Sequence, residues 1–216
     1  MLRDRSSGAV YRNPNAGAPI WTASTIKLAI VVDLLARHYA GQLRLSDEDR
    51  QLISAMLHSS DNDAADTLWT RYGGPDQAFN RNFPRYGMPG VVPQRGFSDT
   101  FPYWGFQKAT ADDLDGLINY TLSRLNPTDT ATIVAAMQNV DTEQQWGVWG
   151  AGPAMAPGNK NGWSQEQGGW VINSVGFAGP RQRYTLAIMN ALDGEGGYDD
   201  GVQTTTHLAE LLLAPA

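Results

Sequence analysis

The sequence predicts an α+β protein in which an antiparallel sheet assembles from both chain ends, flanked by helices, while the middle of the chain forms an all-helical lobe. Three observations carry this. Residues 1–5 and 9–13 are short mixed segments around the turn Ser6-Ser7-Gly8, and read as a hairpin. Helical patterns with caps succeed one another from about 23 to 139. Trp170 to Phe177 and Arg183 to Ala191 then read as a central antiparallel strand pair joined through Gly179-Pro180. The chain is expected to be one domain over 1–216, with an α/β lobe from about 1–22 and 140–216, a helical lobe from about 23–139, and a cleft between them.

The elements come in this order. After the loop Pro14 to Pro19, a run apolar on nearly every side predicts a buried helix over about 23–40, stopping at Gly41. Ser46 caps a helix of about 47–57, whose first turn carries Asp47, Glu48 and Asp49. His58 to Asn62 interrupts the helical pattern, Asp63 to Tyr72 resumes it, and Gly73-Gly74-Pro75 ends it before a helix of roughly 75–84. Tyr86 to Lys108 keeps no period and reads as a long functional or lid-like loop, rich in Phe97, Phe101, Tyr103, Trp104 and Phe106, or equally as a loop whose aromatics simply cover the core. Thr110 and Asp113 form a capping box for a helix of about 111–125, and Thr128 is expected to cap one of about 129–139. Val202 to Leu213 closes the chain as an amphipathic helix.

Composition narrows the function classes. A formal charge of −6, with acids and arginines scattered, excludes a nucleic-acid surface. The longest apolar run is broken by Asp33 and Arg37, so no membrane span is expected. The absence of cysteine removes thiol catalysis and disulfides. His38, His58 and His207 are far apart, which predicts no metal site, and His58 is expected to meet carbonyls at a helix end.

Three motifs carry chemistry. Ser24 and Lys27, three residues apart, share one face of the first turn of the buried helix. Burial and the positive helix end favour a neutral amine, so Lys27 can take a proton from the serine, as arginine could not. The residue type matters because the chain has three lysines, Lys27, Lys108 and Lys160, against thirteen arginines. Ser60-Asp61-Asn62 lies on a turn between helices, and Lys160-Asn161-Gly162 opens a strand with a glycine where another group could approach the backbone closely. Read singly, these are a helix cap with a snorkelling lysine, an N-cap turn and a surface turn.

Together and in this order, Ser24-Thr25-Ile26-Lys27, Ser60-Asp61-Asn62 and Lys160-Asn161-Gly162 resemble the signature motifs of the class A β-lactamase and penicillin-binding protein superfamily, and the element order resembles it too. The resemblance implies a β-lactamase-like fold and a serine hydrolase or acyltransferase. Ser24 would be the nucleophile, Lys27 the base or its assistant, Ser60 the proton donor to the leaving nitrogen, and Lys160 the positive field. Asn62, Asn161, Gly162 and Trp163 would bind substrate, with the Ser24 and Trp163 N–H groups holding the oxyanion. It implies a small-molecule or peptide substrate, β-lactams among the candidates, and no cofactor.

Two departures shape the expectation. Asn161 stands where the family commonly has Thr or Ser on the substrate carboxylate. None of the five glutamates, Glu48, Glu143, Glu166, Glu195 and Glu210, lies between the second motif and the capped helix, where class A enzymes carry the Glu-x-x-Leu-Asn that activates water; Asp99 is the only acid within Phe97 to Phe106. The expectation is therefore acylation of Ser24 by an amide, peptide or ester with slow, penicillin-binding-like deacylation. The alternatives are a true class A-type β-lactamase and an inactive binding protein of this fold, closed by its aromatic lid. Family members usually work outside the membrane, so an exported bacterial protein written here without its leader, its first strand cut short at Met1, is expected, with a cytoplasmic location as the alternative.

Overall fold

The computed structural model describes residues 1–73, 77–166 and 168–213. The expected hairpin is β1 (Leu2–Asp4) and β2 (Val10–Tyr11), paired antiparallel with Leu2 opposite Tyr11. A short strand, β3 (Ile20–Trp21), leads into a 3₁₀ turn at Ala23–Thr25 and then α1 (Ile26–Tyr39). The buried helix thus starts as a tighter 3₁₀ turn, with Ala23 at φ +45°, a conformation unfavourable for a residue with a Cβ. Ile26, Leu28 to Val32 and Leu34 are wholly inaccessible, so α1 is the axis of the core.

Helix α2 (Asp47–His58) carries the capping box of Ser46 and Asp49, and α3 (Asn62–Gly73) comes after the interruption at 59–61. Part of the expected 75–84 helix, with its Gly74-Pro75 start, lies outside the described residues. Its remainder is a short α4 (Ala78–Asn82) and a 3₁₀ turn at Phe83–Tyr86.

The 86–108 stretch is not a structureless loop. β4 (Val92–Pro93) and β5 (Gln107–Ala109) pair antiparallel, and β5 also pairs with β3, giving a small sheet of order β3-β5-β4. Strands of two or three residues are too short to show a period, which is why the pattern hid them. Helix α5 (Ala111–Ser123) has the expected Thr110–Asp113 box. Helix α6 (Pro127–Gln138) is capped by Asn126 rather than Thr128: the Asn126 side chain accepts from the Thr128 and Asp129 N–H groups. Proline at the first helical position, lacking an N–H, moves the cap to the residue before it.

The large sheet is completed by β6 (Gly158–Glu166), β7 (Gly169–Ala178) and β8 (Tyr184–Ala191), in the order β2-β1-β8-β7-β6 with every pairing antiparallel. Helix α7 (Tyr198–Leu213) packs on β7 and β8. Both chain ends therefore build one sheet, and β6, which bears Lys160, is its outer strand. No helix among the described residues is long and apolar enough to cross a membrane.

Candidate active site

The Ser24 turn is held from three sides. Gln107 on β5 accepts from the Thr22 N–H at 2.9 Å, and Asn173 on β7 donates to the Trp21 carbonyl at 2.8 Å. Gly162 on β6 lies against the turn itself: a Cβ there would stand 2.6 Å from the Thr25 nitrogen and 2.7 Å from that of Ser24. This is the close backbone approach expected of the motif glycine. Gly162→Ala is expected to force β6 from the turn, costing about 1–3 kcal/mol by overpacking. Displacing Ser24 should also slow any reaction at its hydroxyl by about 10²-fold. Thermal melts and acylation rates of the variant check this.

The second motif sits on the α2–α3 turn, where Ser60 has φ +61°. Its three residues divide their work. The Asp61 carboxylate accepts from the Ala64 N–H at 2.8 Å and so caps α3, while Ser60 and Asn62 turn toward α1. Lys27, wholly buried, donates from Nζ to the Ser60 carbonyl at 2.6 Å and to Asn62 Oδ1 at 2.6 Å, with Ser60 Oγ at 3.4 Å. Ser60 and Asn62 thus surround the amine with three acceptors, two of them close. Burial pushes the Lys27 amine down to about 8, against the opposing charges of Asp61 and Asp66.

Lys160 approaches Ser60 from the other side. Its Nζ donates to Ser60 Oγ at 2.9 Å and to the Asn161 carbonyl at 2.8 Å. Complete burial, then the neighbouring Lys27, hold this amine well below its ordinary range. The Ser60 hydroxyl is thus placed between two amines. Ser24 is half-buried, and its hydroxyl makes no hydrogen bond to a described residue.

The remaining motif residues differ in placement. The Asn161 amide is spent inside the protein: Nδ2 donates to the carbonyls of Gln144 at 2.8 Å and Trp146 at 3.4 Å, and Oδ1 accepts from Asn159. Trp163 is half-buried, edge-on to Trp146 and Tyr198 with ring centroids 6.0 and 5.8 Å away. Asp99 is exposed in its loop. His58 Nδ1 lies 2.6 Å from the Asn139 carbonyl, so it meets the end of α6, not its own helix.

Two residues at the site have no motif to mark them. Trp104 covers Lys27, whose Nζ is 4.6 Å from the indole centroid, and Asp66 accepts from Trp104 Nε1 at 2.7 Å and from the Tyr103 hydroxyl at 2.6 Å. The spacing of Asp66, four residues after Asn62 on one helix face, is the one signal of it in the sequence. Nothing local marks which of five loop aromatics reaches the lysine.

In fold, the chain is a β-lactamase-like α+β protein. Solved structures similar to it are β-lactamases: one from Xanthomonas campestris at 20% identity and TM-score 0.78, covering 98% of this chain and 89% of that one; one from Burkholderia vietnamiensis at 20% and 0.79, covering 98% and 88%; and an ancestral class A β-lactamase at 17% and 0.78, covering 98% and 91%. In sequence, the chain is 32% identical over 195 residues to the protein named "Putative lipoprotein LppW" in Mycobacterium tuberculosis and in Mycobacterium bovis. The match takes in 86% of this chain and 60% of those relatives, so the chain spans less than two thirds of their length. No family model matches the sequence.

Proposed function

We propose that this chain is a serine hydrolase or acyltransferase that forms an acyl-enzyme at Ser24 with an amide, peptide or ester and releases it slowly. The observation that carries the reading is the Ser60 hydroxyl held 2.9 Å from Lys160 Nζ and 3.4 Å from Lys27 Nζ, with the Lys27 amine down at about 8. An amine near that value has a far larger neutral fraction at physiological pH than an ordinary lysine, and that fraction can take the Ser24 proton. As the Ser24 oxygen adds to the acyl carbon, its proton passes to Lys27. Ser60, hydrogen-bonded to Lys160, gives its proton to the leaving nitrogen of an amide, or the leaving oxygen of an ester, as that bond to the acyl carbon breaks, and takes the proton held by Lys27 in its place.

The Ser24 and Trp163 N–H groups would hold the oxyanion, Asn62 would present its amide to the substrate, and Gly162 allows β6 to lie beside the nucleophile. Asn161 would act through its carbonyl on Lys160, its amide being engaged with residues 144 and 146. The absence of a glutamate between the second motif and the helix capped by Thr110 supports slow release over efficient β-lactam hydrolysis. The lipoprotein name of the relatives supports an exported, envelope-associated bacterial protein.

The test is intact-protein mass over time with a fluorescent penicillin and with a simple activated ester, wild type beside Ser24→Ala. A stable adduct absent from the variant is the expected result. Rapid consumption of penicillin without adduct would instead mark a β-lactamase. Neither adduct nor turnover with either probe would sink the reactive serine and leave a binding protein of this fold.

A further inference from the structure

We propose that Trp104, pinned by Asp66, is the cover that keeps water off the Lys27 side of the site and makes an acyl group on Ser24 long-lived, Asp66 acting as a positioning residue. This rests on the acyl-enzyme reading and supplies its physical cause. Three consecutive residues of the 93–107 connection are fastened to one helix. Trp69 Nε1 donates to the Pro102 carbonyl at 3.0 Å, while the Tyr103 hydroxyl and Trp104 Nε1 both donate to Asp66 Oδ1. Trp104 is consequently only 6% exposed although its neighbours Tyr103 and Gly105 are half-buried.

The same helix face holds both halves of the arrangement. Asn62 grips the Lys27 amine, and Asp66, one turn later, sets the indole face over it. At 4.6 Å the contact lies well inside the range of cation–π attraction, about 6 Å from the ring centroid, so ring and amine are direct neighbours.

Forming and breaking the ester make different demands on this place. Acylation uses the serine's own hydroxyl and needs no water. Hydrolysis requires a water oxygen to add to the acyl carbon while its proton passes to a base. The Ser24 oxygen then leaves, takes a proton and frees the acid. Lys27 presents its nitrogen to Ser60, to Asn62 and to the indole face, and Asp66 Oδ1 already accepts two hydrogen bonds. In this proposal a water seeking the Lys27 amine from the side that Ser60 and Asn62 leave has to displace the indole that lies over it.

The chain's small number of lysines makes the cover directly measurable. Reductive methylation with labelled formaldehyde, read at Lys27 against half-exposed Lys108, reports access to the amine without any acylation. In Trp104→Ala, Lys27 methylation relative to Lys108 is expected to rise, and the lifetime of the penicillin adduct, after free probe is removed, to fall by about tenfold or more as water gains a base. Asp66→Ala, which unpins the ring without removing it, should change both readouts in the same direction and serves if Trp104→Ala does not fold. An unchanged Lys27-to-Lys108 ratio, or an adduct equally long-lived in the variants, overturns the cover while leaving the acyl-enzyme reading standing. Absence of any wild-type adduct overturns that reading, and the role given to Trp104 with it.

Discussion

Lys27→Ala is expected to lower the rate of Ser24 acylation by about 10²–10⁴-fold, the range a positioned general base contributes. Lys27→Arg should be no better, because a guanidinium keeps its proton and cannot accept another. In the wild type the rate should climb with pH while the amine still carries its proton, and flatten above about 8, where burial has placed its titration. The sign comes from the role: the neutral amine is the active form, and its fraction grows as pH rises. The profile is measured as the rate of fluorescent-penicillin labelling from about pH 6 to 9.5, a window that brackets this titration. A rate independent of pH across that window, or a Lys27→Ala protein labelled at the wild-type rate, would remove Lys27 from the chemistry. The same burial disfavours folding: the unfolded chain binds this proton more tightly, so this group's contribution to stability grows as pH rises from about 8 toward its ordinary range near 10.5.

The largest effect on stability is expected at Asp33, in the middle of α1. Its carboxylate is wholly buried, 2.7 Å from Arg37 Nε, and accepts from Asn82 Nδ2 at 2.8 Å and the Tyr86 hydroxyl at 2.9 Å. Arg37 also donates to the Tyr72 carbonyl and lies over the Phe79 ring. One acid thus ties the central helix to α4 and to the turn after it, while Arg37 reaches α3. Asp33→Ala leaves the donors of Asn82, Tyr86 and Arg37 facing an apolar gap, and breaking a buried pair in this way costs about 3–5 kcal/mol. Urea unfolding should show the midpoint falling with the slope unchanged. A loss below about 1 kcal/mol, the value of an exposed pair, would mean that the cluster contributes no more than a surface bridge.

Asp33 also illustrates what a sequence shows and what it hides. With Arg37 it breaks the apolar run, which argues against a membrane span. Their spacing of four residues places them on one helix face, but Asn82 and Tyr86 are about fifty residues away, and nothing local pairs them with an acid. The capping boxes at Ser46–Asp49 and Thr110–Asp113 are legible because both partners lie within one turn. Thr128 reads as a cap only while Pro127 is placed before the helix; Pro127 is its first residue, and the cap is therefore Asn126.

By itself, then, the sequence determined whatever depends on near neighbours and on strong periodicity. That covers the hairpin, the two capping boxes, the buried helix carrying Ser24 and Lys27, the strands of the large sheet and the order of three motifs. Only the tertiary structure decided which groups meet: Lys160 with Ser60, a hundred residues apart, the Asn161 amide with residues 144 and 146, and Trp104 with Lys27 over Asp66. The physical reason is that a side chain's partner across the chain is chosen by packing. Packing fills space with whatever the whole fold brings there, and no residue's own neighbours in sequence record it.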